Sequence, residues 1–337
     1  MNVLVTGGAG YIGSIVAERL LEQDHRVIIL DNLSQGHREA ILPVADFVQA
    51  DVVDAGSLHR VFESFKIDAV VHMAAESVVN FSLSDPQRYF RTNVVGGINL
   101  LDVMLKHDVK DIVFSSSAAV YGEPQKIPIE EDHPIVPVNA YGETKLMFEK
   151  LLQWYGKAYG IRHVSLRYFN AAGASKRFGE YHCPETHLIP SVLRVALDNH
   201  SSVSIFGTDY STQDGSCVRD YVHVLDIAQA HILALHRIDE ACGGVFNLGS
   251  GRGCSVLQVV KIASRVTGSE IPVVFSPRRA GDPAVLLASS SRAEAQLGWK
   301  PEFSKPEVII ESAWEWLKGH PEGYSRKKEP QANARLF

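Results

Sequence analysis

Cysteine is scarce in this chain. Cys183, Cys217, Cys242 and Cys254 are the only four in 337 residues, and no two form a C-x-x-C pair. That pattern argues against both a zinc-finger-like site and a disulfide framework, and it fits a reducing compartment. No apolar run is long enough to span a bilayer, and the N-terminus passes directly into a strand-like run, so no secretory leader is expected. A cytoplasmic location without a membrane partner follows as the expectation. Basic tracts are also missing from the body of the chain. The 33 Lys and Arg against 39 Asp and Glu leave a net charge of −6, which argues against nucleic acid as a partner. The fourteen histidines show no pattern such as H-E-x-x-H, so no metal site is expected.

What is present is an ordinary globular composition, 45% hydrophobic, over a length that suggests two domains. The first half alternates short apolar runs with helical patterns, the signature of an α/β doubly wound parallel sheet. Strands are predicted at Val3–Val5, Val27–Leu30, Asp46–Gln49, Ala69–Val71, Asp111–Phe114 and His163–Leu166. Asp85 followed by Pro86 reads as the cap and first residue of a long helix towards His107, and Asn139 precedes another. The second half is less regular, with Pro- and Gly-containing segments between shorter elements. Residues 325–337 are polar and charged and read as a frayed tail.

Gly7, Gly8, Gly10 and Gly13 follow the first strand, reading as G-x-x-G-x-x-G or G-x-G-x-x-G. Such a turn lets backbone approach a pyrophosphate, and a helix starting near Tyr11 offers it free N–H groups. Asp31 ends the second strand about 20 residues later, where a carboxylate accepts from an adenosine ribose 2′-hydroxyl and repels a 2′-phosphate. NAD is therefore expected over NADP. Tyr141 and Lys145, four apart in "AYGETK", share one helix face. A lysine beside a phenol favours the phenolate, so Tyr141 is a candidate base. Ser117, in a serine run at a strand end, supplies a hydroxyl nearby. The pattern of strands puts Ser117, Tyr141 and the loop after His72 at the carboxyl ends of strands, where open α/β sheets bind ligands.

Together "LVTGGAGYIGS", "FSSSAAVYGEP", "NAYGETKLMFEK", "LRYFNAAGA", "DGSCVRDYVHVLDIAQAH" and "RRAGDPA" resemble the extended short-chain dehydrogenase/reductase superfamily and, within it, the UDP-glucose 4-epimerases. The likeness runs from Met1 to about Tyr324. It implies a Rossmann-type NAD-binding domain over 1–172, to which segments near 219–250 return, and a smaller α/β UDP-sugar domain over 173–324. It implies interconversion of UDP-galactose and UDP-glucose through a 4-keto sugar with tightly bound NAD, in a homodimer. Tyr141 would move the sugar O4 proton, Ser117 would hold O4, and Lys145 would hold the nicotinamide ribose. The cofactor shell would include Gly7, Gly10, Tyr11, Ile12, Gly13, Asp31, Asn32, Asp51, Val52, Ala74, Asn93, Ser115 and Tyr168. The UDP-sugar would meet Asn170, His187, Phe206, Arg219, Arg279, Asp282 and Leu286, the arginines pairing with diphosphate.

The chain departs from the family pattern at Glu76 and Ser77, where a lysine is common, and at His187, where an asparagine often sits. Ala118 and Ala119 stand where dehydratases and decarboxylases carry acids, which disfavours elimination. Leu286 occupies the position that faces the sugar C2 substituent, where tyrosine restricts the enzyme to plain hexoses. The readings left beside 4-epimerisation of UDP-glucose are the same reaction on a UDP-N-acetyl sugar or UDP-pentose, a dehydrogenase that releases NADH, and a non-catalytic NAD sensor.

Overall fold

The computed structural model describes residues 1–198, 201–279 and 282–324, so the tail expected over 325–337 lies outside them. Runs such as Val3-Leu4-Val5, Val27-Ile28-Ile29-Leu30 and Ala69-Val70-Val71 have no polar face, and they form strands covered on both sides. The strands are β1 (Asn2–Thr6), β2 (Arg26–Asp31), β3 (Asp46–Gln49), β4 (Ala69–His72), β5 (Asp111–Ser117), β6 (Arg162–Tyr168), β7 (Asn170–Ala172), β8 (Val203–Phe206), β9 (Val218–His223), β10 (Gly244–Leu248), β11 (Gly253–Ser255), β12 (Val273–Ser276) and β13 (Val285–Leu286).

A seven-stranded sheet runs β10-β6-β5-β4-β1-β2-β3, with every neighbouring pair parallel. The order reverses between β1 and β4, which opens a crevice at their carboxyl ends. The six strands predicted for the first half all form, most of them longer by a residue or more at one or both ends. The seventh, β10, comes from the later segment expected to return.

Alternate strand residues feed two cores. On one face Val3, Val5 and Val71 pack with Ile15 and Leu20 of helix Tyr11–Leu21 and with Ile227 and Leu235 of helix Val224–His236. On the other, Leu4 and Val70 pack with Phe62, Leu100, Met104, Phe148 and Leu152. Full burial of a side chain like Phe148 or Leu152 stabilises the fold by about 1.5–3 kcal/mol. Those two residues fix the helix Ala140–Tyr159 against the sheet.

The long helix begins at Pro86, capped by Asp85, whose Oδ1 accepts from Arg88 N. It continues to Lys106, but Phe90–Val95 is wound as a π-helix, which the sequence reading did not anticipate. Beyond β6, β9 collects β7, β11 and β13, and β8 pairs with β12. Helices Leu188–Asp198, Val256–Thr267 and Pro306–Gly319 share a separate core built on Val192, Val259, Ile262, Ile309 and Ile310.

Candidate functional site

Every residue to which the family likeness assigned a catalytic, cofactor or substrate role, except Asn93, lines one cavity of about 1130 Å³. Pockets of about 300–1,000 Å³ hold one drug-sized ligand. This one has room for a dinucleotide and a sugar nucleotide together.

The cofactor wall starts at the glycine turn. A Cβ on Gly13 would stand 2.1 Å from Gly7 O, so only glycine lets the helix sit this close to the turn. That helix has no side-chain N-cap at Gly10, and its first amides are left for an anion. Asp31 closes the wall. Its Oδ2 accepts from Ala9 N at 3.0 Å and its Oδ1 from Leu33 N at 2.8 Å. Burial raises its pKa, and the two amides pull the other way. Asn32 Nδ2 donates to Asp51 Oδ2 at 2.8 Å, tying two expected cofactor contacts to each other. These features fit a dinucleotide with a free ribose 2′-hydroxyl.

Tyr141 and Lys145 lie on helix Ala140–Tyr159, whose start is fixed by Asn139 Oδ1 accepting from Gly142 N at 2.8 Å. A Cβ on Gly142 would come within 2.4 Å of Ala119 O, so glycine allows the helix to press against the end of β5. That contact brings Tyr141 into hydrogen-bond range of Ser117. Lys145 Nζ donates to Ser115 O at 2.7 Å and lies 5.7 Å from the Tyr141 ring centre.

The electrostatics correct one expectation. Burial raises the Tyr141 pKa against the lowering effect of Ser117, and burial lowers Lys145 to about 7 although Glu149 opposes it. A neighbouring cation was visible in the sequence, whereas the desolvation that weakens it was not.

Asn93 is the one expected cofactor contact that does not line the cavity. Its Oδ1 accepts from Glu76 N at 2.8 Å, and its Nδ2 donates to Glu76 O at 3.1 Å and to Thr144 Oγ1 at 2.9 Å. It stands behind the wall and ties the loop after β4 to the Tyr141 helix. Glu76 itself pairs with Arg88 at 2.8 Å.

On the opposite wall Arg219 Nη2 donates to Asp282 Oδ1 at 2.7 Å, and its Nη1 donates to Val218 O and Pro283 O. The Arg279 guanidinium lies 4.0 Å over the Phe206 ring. Leu286 pairs across β13–β9 with Arg219 and packs against Val120, Tyr121, Ile129 and Leu146. Asn170 opens β7 beside Tyr221. Tyr168 hydrogen-bonds His231, and burial raises its pKa.

One group of residues was missed altogether, and of a second only His187 was named. Beneath the catalytic strand end, Arg167 forms a buried two-pronged pair with Glu149, Nη2 to Oε2 at 2.6 Å and Nε to Oε1 at 2.9 Å. Ser116 Oγ also donates to Glu149, and Arg167 Nη1 to Tyr121 OH. Ser116 alternates with Ser115 and Ser117 along β5, so it had to point away from the cavity, and that period of two was the available signal. The second group corrects the expectation of no ligand-like histidine cluster. Glu180, His182, Glu185 and His187 converge, and His187 Nδ1 lies 2.8 Å from Glu180 Oε1 and 2.9 Å from Glu185 Oε1. The Glu180 charge, opposed by burial, raises His187 to about 11.

The model of the NAD dependent epimerase/dehydratase family matches residues 3–249. A UDP-glucose 4-epimerase of Halalkalibacterium halodurans is 52% identical over 98% of this chain and 99% of its own. The crystal structure of UDP-glucose 4-epimerase from Brucella ovis in complex with NAD is 44% identical and superposes with a TM-score of 0.90 over 94% of this chain and 98% of that one. The Bifidobacterium longum enzyme in complex with NAD+ and UDP is 38% identical, with a TM-score of 0.91 over 96% and 100%. The glycine turn, the acid that closes it and the Tyr141–Lys145 helix therefore sit in a chain that belongs to the NAD dependent epimerase/dehydratase family, among its UDP-glucose 4-epimerases.

Proposed function

We propose that this chain interconverts UDP-galactose and UDP-glucose by oxidising the sugar at C4 to a 4-keto intermediate and reducing it on the opposite face. The observation that carries this reading is a single cavity bounded by the glycine turn, Asp31, and the Ser117–Tyr141–Lys145 set. Bound NAD supplies the two-electron acceptor and donor for C4 and, when oxidised, a positive ring charge that favours a nearby phenolate.

Tyr141 Oη takes the O4 proton as C4 is oxidised and returns it on reduction. Ser117 Oγ holds O4 beside it. Lys145, now on Ser115 O, is the group that would hold the nicotinamide ribose hydroxyls. Asp31 holds the adenosine ribose. Arg219 and Arg279 take the diphosphate, Phe206 the uracil, Asp282 the uridine ribose, and Asn170 and His187 complete the sugar-nucleotide side. Among the described residues, no acid stands at Ala118 or Ala119 to work at C5, which supports epimerisation over elimination.

Leu286 presents an apolar wall towards the position assigned to the C2 substituent. Burying an amide there without a partner costs about 1–3 kcal/mol, so plain hexoses are the main pair and N-acetyl sugars the weaker one. We place the division between cofactor and substrate domains near residue 172. We also place the protein in the cytoplasm as a homodimer. Val95 and Trp154, exposed on the helices that would form the shared face, support the dimer, and no described helix is long and apolar enough to cross a membrane.

The test is incubation of the purified protein with UDP-galactose, UDP-N-acetylgalactosamine and UDP-arabinose, with identification of products and of free NADH. Conversion of UDP-galactose to UDP-glucose without net NADH is expected. Net NADH release, or turnover of the N-acetyl sugar ahead of the plain one, would overturn the reading.

A further inference from the structure

The segment between β7 and helix Leu188–Asp198 carries a cluster of four side chains, of which the reaction above uses His187 alone. Glu180, His182, Glu185 and His187 follow the pattern E-x-H-x-x-E-x-H, and the chain folds back so that one donor atom from each lies within 4.8 Å of the others. Both imidazoles present Nδ1. His187 Nδ1 is 2.8 and 2.9 Å from the two carboxylates, and His182 Nδ1 is 3.4 and 3.5 Å from them. Ligand bonds of about 2.0–2.1 Å in a tetrahedral zinc site set neighbouring ligand atoms roughly 3.3–3.4 Å apart. The observed separations bracket that spacing.

A second observation points the same way. His182 Nδ1 is enclosed and aimed into the cluster, where its contacts are long ones of 3.4 and 3.5 Å to the two carboxylates. The carboxylates are held in advance. Glu185 Oε1 accepts from the amides of Thr186 and His187 at 2.8 Å each, and Oε2 accepts from His182 N at 3.3 Å. The side chains of Glu180 and Glu185 are only 7% and 8% exposed, while His187 at 47% leaves a path in from the cavity.

We propose that Glu180, His182, Glu185 and His187 bind one divalent transition-metal cation of the zinc class. Two imidazole nitrogens with two carboxylate oxygens suit Zn2+; magnesium and calcium prefer oxygen throughout. The role is structural. The edge of the Tyr11 ring, at the head of the glycine-turn helix, meets His182 with centroids 6.5 Å apart. Immediately after His187 comes the helix whose Leu188, Pro190 and Arg194 line the cavity. A cation here clamps the substrate-side wall to the start of the cofactor helix.

The test compares wild type, Glu180→Gln and His182→Gln after chelator treatment, reloading with Zn2+ or Co2+, and gel filtration. About one Zn2+ per wild-type chain is expected, with the intense visible absorption of four-coordinate Co2+. Either variant should bind more weakly by over roughly 100-fold, the upper range for losing even a supporting partner of a metal ligand. Zinc should raise the thermal midpoint of wild type only. Wild type that retains no ion overturns the proposal. So does equal retention by the variants, which marks an adventitious ion only, or a Co2+ spectrum of the six-coordinate kind. If the variants do not fold, metal content and the Co2+ spectrum of wild type decide alone.

Discussion

Gly13 and Arg219 face the same cavity from opposite walls, and they are held by different means. The wall at Gly13 is backbone: a turn at a strand end, helix amides, and one carboxylate fixed by two N–H groups. The wall at Arg219 is side chain on side chain, with Arg219 on Asp282 and Arg279 over Phe206. Backbone recognition requires small residues and a short spacing, and it tolerates almost no change. Side-chain recognition draws on residues far apart in sequence and can be retuned one contact at a time. Substitutions on the first wall should therefore act nearly all-or-none, and those on the second should shift preference.

The comparison is tested hardest at Tyr141, where the cofactor wall meets the sugar. Tyr141→Phe keeps the ring and loses the proton acceptor, so kcat should fall by about 10²–10⁴-fold with NAD still bound. Steady-state kinetics with a count of bound NAD checks this, and near-normal turnover would refute the role. Next is Asp31→Asn, which keeps one acceptor and loses the charge. NAD affinity should drop by about 10–100-fold, in line with about 1.5–3 kcal/mol for a hydrogen bond to a charged group, and NADP should be discriminated against less. Titration with both dinucleotides reads it.

A third test uses pH. Behind the cofactor wall His72 and His231 are buried, and burial holds both pKa values down at about 3; His223 is held at about 4. The folded form therefore binds fewer protons than the unfolded one below about pH 6.5. Stability from these groups is present above that value and is lost as pH falls towards 4, with a slope of up to about 1.4 kcal/mol per pH unit for each. Urea midpoints between about pH 7 and about pH 5 should fall, and His231→Gln should flatten the fall if it folds.

The smallest effect is expected on the side-chain wall. Leu286→Tyr should lower the ratio of N-acetyl to plain-sugar turnover by roughly tenfold while plain-sugar turnover changes little. An unchanged ratio would remove Leu286 from the sugar site.

The same division explains what could be read in advance. Gly7 to Gly13, Asp31 and the Tyr141–Lys145 pair are local patterns with a fixed period, and the first six strands followed from apolar runs between helical stretches. The π-wound stretch at Phe90–Val95 was hidden because one extra residue per turn leaves no compositional trace. Asn93 looked like a ligand because an amide inside a helix needs a reason. What the sequence could not show is that it also holds the Glu76 backbone and Thr144, on separate elements. The lowered Lys145 pKa depends on burial by residues from several elements. The Glu180–His187 cluster was legible as spacing but was passed over, since two histidines and two acids take this geometry only when the intervening chain turns back on itself.

The connection from β6 to β10 has a consequence for synthesis. The strand that completes that edge of the large sheet leaves the ribosome only after about 75 intervening residues, which takes on the order of 4–15 s at usual rates. During that interval β6 offers an open row of amides and carbonyls, the kind of edge along which nascent chains join one another. Its outward pairing partner is Gly244–Leu248 and nothing earlier. A chaperone that shields extended segments would have its moment there, and a nonsense codon anywhere in the intervening stretch would leave that edge open for good.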